Sequence, residues 1–238
     1  GVVPVYRQHP MALAQQALTV SQAGGGRLAL GIGLSHQVVV ESLWGLSYDR
    51  PLRYMREYLA ALTPLLEGEQ VAATGEVVSA MGAVEVAAPR PELLVAALGP
   101  RMLELAGRVT DGTVTWMVGP KTLADHIVPT IDRAASDADR PAPQVAVSLP
   151  VCVTDHPDGA RERASAEFLM YGTLPSYRAM MDREGVAGPE DLAIIGGADQ
   201  VAERLDGIAA AGATTFAASE FGNLDELAAT RDLLVSLR

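Results

Sequence analysis

HPMALAQQALTVSQAGGGRLALGIGLSH, residues His9 to His36, is the stretch from which the rest of the chain can be read. Pro10 suits the first position of a helix, where its missing N–H costs nothing, and a helix-length segment then runs to Gly24, Gly25 and Gly26. Glycines tolerate the left-handed backbone on which helices commonly stop, so they mark a short helix-to-strand loop. The run that follows, residues 28–33, is apolar throughout rather than alternating, as in a strand covered on both faces of a parallel sheet. Helix, glycine turn, buried strand and a polar exit at Ser35 and His36 make one αβ unit.

The same unit recurs outward in both directions. Apolar runs at 1–5, 28–33, 93–97, 113–117, 145–153 and 214–218 read as strands, and the segments 10–23, 51–67, 101–109, 123–135, 160–171, 199–211 and 224–237 read as helices. Asp111-Gly112 and Ala211-Gly212 repeat the glycine turn. This alternation is that of right-handed βαβ units, in a barrel or a doubly wound sheet. Residues 70–86 break it: VAATGEVV and AVEVA alternate about glycines and read as an inserted β-hairpin. Residues 174–197 form a longer, less regular excursion, a flap or an oligomer contact. No linker divides the chain, so residues 1–238 read as one domain. Six strands fall short of the eight a closed barrel needs.

Composition narrows the possibilities. With 238 residues, 49% of them hydrophobic and only 5% aromatic, the chain builds its core from small and branched aliphatic side chains. A formal charge of -11 repels nucleic acid and anionic membrane surfaces, so an anionic ligand has to meet a local cluster of donors. One cysteine, Cys152, rules out an internal disulfide and suits a reducing cytosol. No run reaches the roughly 18 to 20 apolar residues of a membrane-spanning helix. The opening GVVPVYRQHP has neither an initiator Met nor a leader, from which we expect further sequence upstream.

Ligands of parallel α/β folds bind where the strands end at their carboxyl side. There Ser35 and His36 begin a helix. His36 reads as a proton donor or hydrogen-bond partner, or else Ser35 caps the helix and His36 is solvated. GIGLSH lacks the third glycine and the acidic partner of a dinucleotide fingerprint. Gly99, Pro100 and Arg101 open another helix and read as a phosphate cradle, or as a plain turn with an N1 proline. The loop from Trp116 to Lys121 ends in the chain's one lysine, a phosphate ligand or, if desolvated, a Schiff-base amine. Pro4 in the opening strand suggests a bulge, and His9 reads as the cap before Pro10. Cys152 reads as an inert core thiol, and Arg53, Arg56 and Glu57 as an exposed helix face. His126 and His156 lack partners at metal-ligand spacing, so no metal site is expected.

Taken with VESLWGLSYDRPLRYMREYL, residues 40–59, the opening stretch resembles the luciferase-like monooxygenase superfamily, particularly its deazaflavin (F420)-dependent oxidoreductases. LLVAALGPRMLELAGRVTDGTV and IIGGADQVAERLDGIAAAGATTF extend the likeness over nearly the whole chain. The resemblance implies a TIM (β/α)8 barrel, N-terminally incomplete, whose strands three to eight are present with a hairpin insertion. The missing units, or a partner, would cover the raw sheet edges. It further implies a non-prolyl cis peptide at residues 1–2 or 2–3 backing the cofactor's ring, which makes Gly1, Val2 and Val3 cofactor-binding. Leu34, Ser35 and His36 would border ring and substrate, with His36 catalytic. Ala97, Leu98, Gly99 and Pro100, with Arg101, would line the ribityl phosphate; Trp116 and Lys121 would complete the cofactor site. His36 stands where relatives acting on sugar phosphates hold a carboxylate, which speaks against such a substrate. The implied activity is hydride transfer between F420 and a small organic molecule, in a cytoplasmic homodimer. The alternatives are an FMN-dependent monooxygenase, a non-catalytic flavin-binding relative and a Lys121 Schiff-base lyase.

Overall fold

The structure is a computed structural model describing residues 2–237. Seven parallel strands form the main sheet: β1 (Val2–Pro4), β2 (Ala29–Gly33), β5 (Glu92–Ala96), β6 (Gly112–Trp116), β7 (Gln144–Val153), β8 (Ile194–Gly196) and β9 (Thr215–Glu220). They run in the order β1-β2-β5-β6-β7. β6 and β9 both pair with residues 146–148 of β7 and so flank it on opposite sides, while β8 pairs further along, at residues 151–153. β1, β9 and the short β8 each pair with one strand only, and among the described residues no strand pairing joins β1 to β9. β3 (Val71–Thr74) and β4 (Ser79–Gly82) make a separate antiparallel hairpin.

Register divides the main sheet into two unlike faces. Ile32, Val95, Thr113, Thr115, Val145, Val147, Leu149 and Val151 share one face, and each is at most 2% exposed. This face carries the core, packed with Leu13, Leu62, Leu65, Leu103 and Ile131 from the helices. Full burial of one such side chain contributes about 1.5 to 3 kcal/mol. The opposite face carries the small residues Gly31, Gly33, Ala96, Ala146 and Ser148 together with Leu94 and Val114, and Trp116 stands at its upper end. A Cβ on Gly33 would lie 2.8 Å from Val2 Cγ1 and 3.1 Å from Ala96 Cβ, so bulk is excluded there.

Most helices open on a proline, which explains why several begin one to three residues earlier than their apolar periodicity suggests. They are α1 (Pro10–Ala23), α2 (Pro51–Leu66), α3 (Pro100–Val109), α4 (Pro120–Thr122), α5 (Val128–Ser136), α6 (Pro157–Glu167), α7 (Leu169–Thr173), α8 (Pro175–Glu184), α9 (Pro189–Leu192), α10 (Ala198–Ala210) and α11 (Leu224–Ser236). A π-helical turn, Leu123–Ile127, joins α4 to α5 without a break.

Several expectations are corrected. The helix expected at 160–171 is interrupted at Phe168 (φ -101, ψ 10). The excursion 174–197 is mostly helical and contains β8, whose three residues are too few to show a periodicity. Of the expected hairpin, only Val71–Thr74 and Ser79–Gly82 are paired, with residues 75–78 as the connection; residues 83–87 belong to no strand. Pro4 makes no bulge: β1 pairs in register through Pro4↔Gly33 and then enters a 3-10 turn, Val5–Arg7, at a sheet edge that tolerates a missing donor. No cis peptide occurs among the described residues, so the bond between Val2 and Val3 is trans, and Gly1 lies outside them. Glu57 is more than a solvated charge. Its Oε2 accepts from the N–H groups of Val77 (2.8 Å) and Val78 (3.0 Å), which hold its carboxyl below the usual range. As read from the sequence, His9 caps α1: its Nδ1 accepts from Met11 N at 3.3 Å.

Of the sheet's glycines, Gly112 lies closest to neighbouring backbone. A Cβ there would sit 2.0 Å from the Gln144 carbonyl oxygen and 2.7 Å from the Gln144 nitrogen. Gly112→Ala is expected to lower unfolding stability by about 2 to 4 kcal/mol, because only backbone can give way. Chemical denaturation measures this, and a loss under about 0.5 kcal/mol would contradict the β6–β7 packing.

Candidate active site

Two residues other than glycine adopt left-handed backbone just beyond strand ends: Ser35 (φ 60) after β2 and Met117 (φ 54) after β6. Such conformations cost about 1 to 3 kcal/mol and collect at functional sites. The aromatic residues gather at the same end. His36 lies 5.5 Å from the Tyr177 ring and 6.5 Å from Tyr171. Tyr171 meets Trp116 at 5.6 Å, Trp116 meets Phe168 at 6.0 Å, and Phe168 meets Phe221 at 5.6 Å. The loops after β2 and β9 and the end of β6 are thus joined under the α6–α8 segment. A second group, Tyr6, Tyr48, Tyr54 and Tyr58, lies beside it, with Arg7 stacked 4.7 Å over Trp44. Tyr48 OH donates to the Ser35 carbonyl at 3.4 Å, which places Ser35 and His36 between the two groups. Of the chain's aromatic residues only Phe216 stands outside them.

Burial lowers the His36 pKa from its ordinary value, so the imidazole is neutral at pH 7. No protein group among the described residues hydrogen-bonds its ring. Ser35 does not cap the following helix. The half-buried ring of His36 faces aromatic neighbours instead of the solvated position that was the alternative. Trp116 Nε1 is buried and has no partner, an omission that costs about 1 to 3 kcal/mol unless something accepts from it.

Two helix heads lie next to this wall, and they differ. At the head of α3, Gly99 has no side chain with which to cap, and no protein group among the described residues accepts from the N–H of Gly99 or Arg101. A Cβ on Gly99 would meet nothing within 4 Å, and among the described residues the exposed Arg101 has no ion-pair partner. Free N–H groups, the helix dipole and a guanidinium together favour an anion. At the head of α4 the donors are taken. Glu184 accepts from Lys121 N at 3.1 Å and from Thr122 N at 2.7 Å, over Gly119, where a Cβ would lie 2.3 Å from the carboxyl carbon.

Lys121 Nζ donates to Asp125 at 3.0 Å and to the Arg183 carbonyl at 3.1 Å, and its side chain is 59% exposed. A Schiff-base amine must be desolvated. Lys121 is not, and the lyase reading falls. Cys152 is buried, and burial pushes its thiol up, away from reactivity. Glu226 is a buried carboxylate near the end of β7. Burial opposes its ionisation, but the Asn223 N–H, Thr154 and Arg163 hold its carboxyl below the usual range, so it serves as a tie.

The strand ends therefore bring together Leu34, Ser35, His36, Trp116 and the cradle from Ala97 to Arg101; Val2 and Val3 lie on the edge strand beside β2, and Lys121 is engaged elsewhere. Phe168, Tyr171, Tyr177, Phe221 and Glu184 were not read from the sequence. The one available signal was three aromatics within ten residues, 168–177, of a chain that is 5% aromatic. A groove of about 640 Å³, lined by Leu18, Leu66, Val84, Val86 and Arg90, lies toward the opposite end of the sheet, away from this chemistry.

A family model described as luciferase-like monooxygenase matches residues 1–215. The chain belongs to the luciferase-like monooxygenase family. It is 30% identical, over 200 residues, to a 5,10-methylenetetrahydromethanopterin reductase of Methanolobus tindarius, a match covering 83% of this chain and 60% of that protein. Against an F420-dependent glucose-6-phosphate dehydrogenase of Beutenbergia cavernae it is 33% identical over 168 residues, 67% of this chain and 49% of the other. The coenzyme F420-dependent tetrahydromethanopterin reductase of Methanopyrus kandleri superposes with a TM-score of 0.81 at 20% identity, covering 98% of this chain and 80% of that one. The fold is thus the TIM-barrel type of this family. The chain spans no more than about 60% of the length of these curated relatives.

His36 makes a testable contribution to pH dependence. Its folded pKa lies below the unfolded value of about 6.5, so on acidification the unfolded chain takes up a proton first and stability falls as pH drops through that value. His36→Gln should flatten the fall in Tm between pH 7.5 and 5.5. Parallel Tm profiles for the two proteins would contradict a desolvated imidazole.

Proposed function

We propose that this chain is part of an F420-dependent oxidoreductase that moves a hydride between the deazaflavin and a small organic substrate. The observation that carries this reading is the neutral, unpartnered His36 set in an aromatic wall beside the open head of α3. The named activities of the relatives support it. When bound, the deazaflavin supplies a two-electron hydride carrier that reacts poorly with oxygen.

The residues present fit such a ligand. The orphaned Trp116 Nε1 offers a donor to a polar ring edge, and the free N–H groups of Gly99 and Arg101, with the Arg101 guanidinium, offer an anion cradle. In this reading Leu34 and Ser35 border the ring, and Val2 and Val3 back it. Ala97, Leu98, Gly99, Pro100 and Arg101 hold the phosphate. Lys121 contributes through its loop, since its ammonium is matched by Asp125 and the Arg183 carbonyl. His36 moves the substrate's proton at one of its ring nitrogens, for which a neutral imidazole near pH 7 is suited. Glu184 closes the head of α4 with a carboxylate, which supports an uncharged substrate over a phosphorylated one. The edges β1 and β9 are where two further βα units would complete the barrel. A homodimer in the cytosol completes the reading, the latter supported by the single, unpaired cysteine.

Titration of the full chain with F420 and with FMN tests the cofactor. Tighter binding of F420 with oxygen-independent turnover is expected; tighter FMN binding with oxygen-dependent turnover would overturn it in favour of a monooxygenase. Cofactor retention without turnover of any alcohol or carbonyl compound would point to a non-catalytic relative. With a substrate in hand, His36→Ala should lower kcat by about 10² to 10⁴-fold while leaving the cofactor Kd within a few-fold. An unchanged kcat removes His36 from the chemistry.

A further inference from the structure

Between β5 and α3 the chain passes through the peptide that joins Leu98 to Gly99. A peptide plane flanked by glycine turns over at little steric cost, and nothing lies within 4 Å of where a Gly99 Cβ would be. Local packing at Gly99 therefore does not decide which way this plane faces. A contact from another loop decides it: His126 Nε2 lies 2.8 Å from the Leu98 carbonyl oxygen. His126 is only 8% exposed and sits in the π-helical turn Leu123–Ile127, an irregularity frequent at functional sites. A carbonyl oxygen only accepts, so Nε2 carries the proton and donates.

The consequence follows from the planarity of the peptide group. In a trans peptide the C=O and the next N–H point to opposite sides. Holding the Leu98 carbonyl toward His126 therefore turns the Gly99 N–H away from the helix after β6, on the side where no protein acceptor meets it. With the plane reversed, a carbonyl oxygen would stand in the cradle and repel an anion.

We propose that His126 is a positioning residue for the anion cradle at the head of α3, selecting the peptide orientation in which the Gly99 N–H is presented with that of Arg101 to the ligand's phosphate. This rests on the reading that the cradle takes the cofactor's phosphate, and it assigns the orientation of that cradle to a residue outside it.

The test compares ligands that differ only in the phosphate end: FMN against riboflavin, and F420 against its phosphate-free deazariboflavin chromophore. In the wild type the phosphate-bearing member of each pair binds more tightly. In His126→Phe this preference is expected to shrink by roughly ten- to a hundredfold, the scale of one hydrogen bond to a charged group, with the phosphate-free ligands little changed. His126→Gln, which keeps an N–H donor, should restore most of the preference. A merely structural histidine predicts equal weakening of both members and no rescue. Should His126→Phe fold poorly, ¹⁵N correlation spectra of the wild-type ring give a second readout: proton on Nε2 is expected, and proton on Nδ1 alone overturns the assignment. A wild type without any phosphate preference defeats the cradle and this assignment together; a preference that survives in His126→Phe defeats the assignment alone.

Discussion

The structure depends on one asymmetry of the parallel sheet. Ile32, Val95, Val147, Leu149 and Val151 face helices and are excluded from water, while the residues one position along, among them Gly31, Gly33, Leu94, Ala96 and Ala146, face the other side of the sheet. Side chains alternate along a strand, so a shift of one residue would exchange the two faces. The register that buries the branched residues therefore also sets which residues line the opposite face, where glycines, Ala96 and Ala146 stand among Leu94, Val114 and Trp116, and all the strands send their outgoing loops to one end. There Ser35, Gly99 and Trp116, far apart in sequence, lie at or just beyond the ends of the neighbouring strands β2, β5 and β6.

That end is built from what the rest of the chain lacks. Aromatic rings are scarce elsewhere and concentrated here, and they desolvate His36 without offering it a hydrogen-bond partner. The chain as a whole carries a formal charge of -11, so the donors that could hold an anion have to be local. Of the two helix heads beside the wall, one is closed by the protein's own carboxylate, Glu184, and the other is left open at Gly99. The loop after β6 is tied to α8 by Lys121 and Glu184, and its helix is tied to the loop after β5 by His126. Each tie joins elements that are distant in sequence, so the shape of the site depends on the packing of the whole barrel side.

Much of the fold was legible because its signals are local. Proline at helix starts, glycine at stops and unbroken apolar runs locate α1, α2, α3 and the barrel strands to within a few residues. β8 was not legible, because Ile194–Gly196 is too short for a period, and neither was the break at Phe168, where no proline or glycine marks it. Of the candidate site, residues just past strand ends could be named because strand direction alone places them. The aromatic wall could not, since the spacing of Phe168, Tyr171 and Tyr177 matches no single helix face once the segment is broken into α6, α7 and α8.

By itself, then, the sequence determined the alternation of parallel strands and helices and which loops gather at the carboxyl ends, because both follow from backbone preference and hydrophobic period within a few residues of each position. Only the tertiary structure decided which donors at that end are free. Lys121 and the head of α4 are engaged by Glu184, Asp125 and the Arg183 carbonyl, whereas Gly99, Arg101 and the His36 ring are left open. That difference arises from contacts spanning up to 63 positions, and a hydrogen bond between distant residues leaves no trace in the local pattern of either partner.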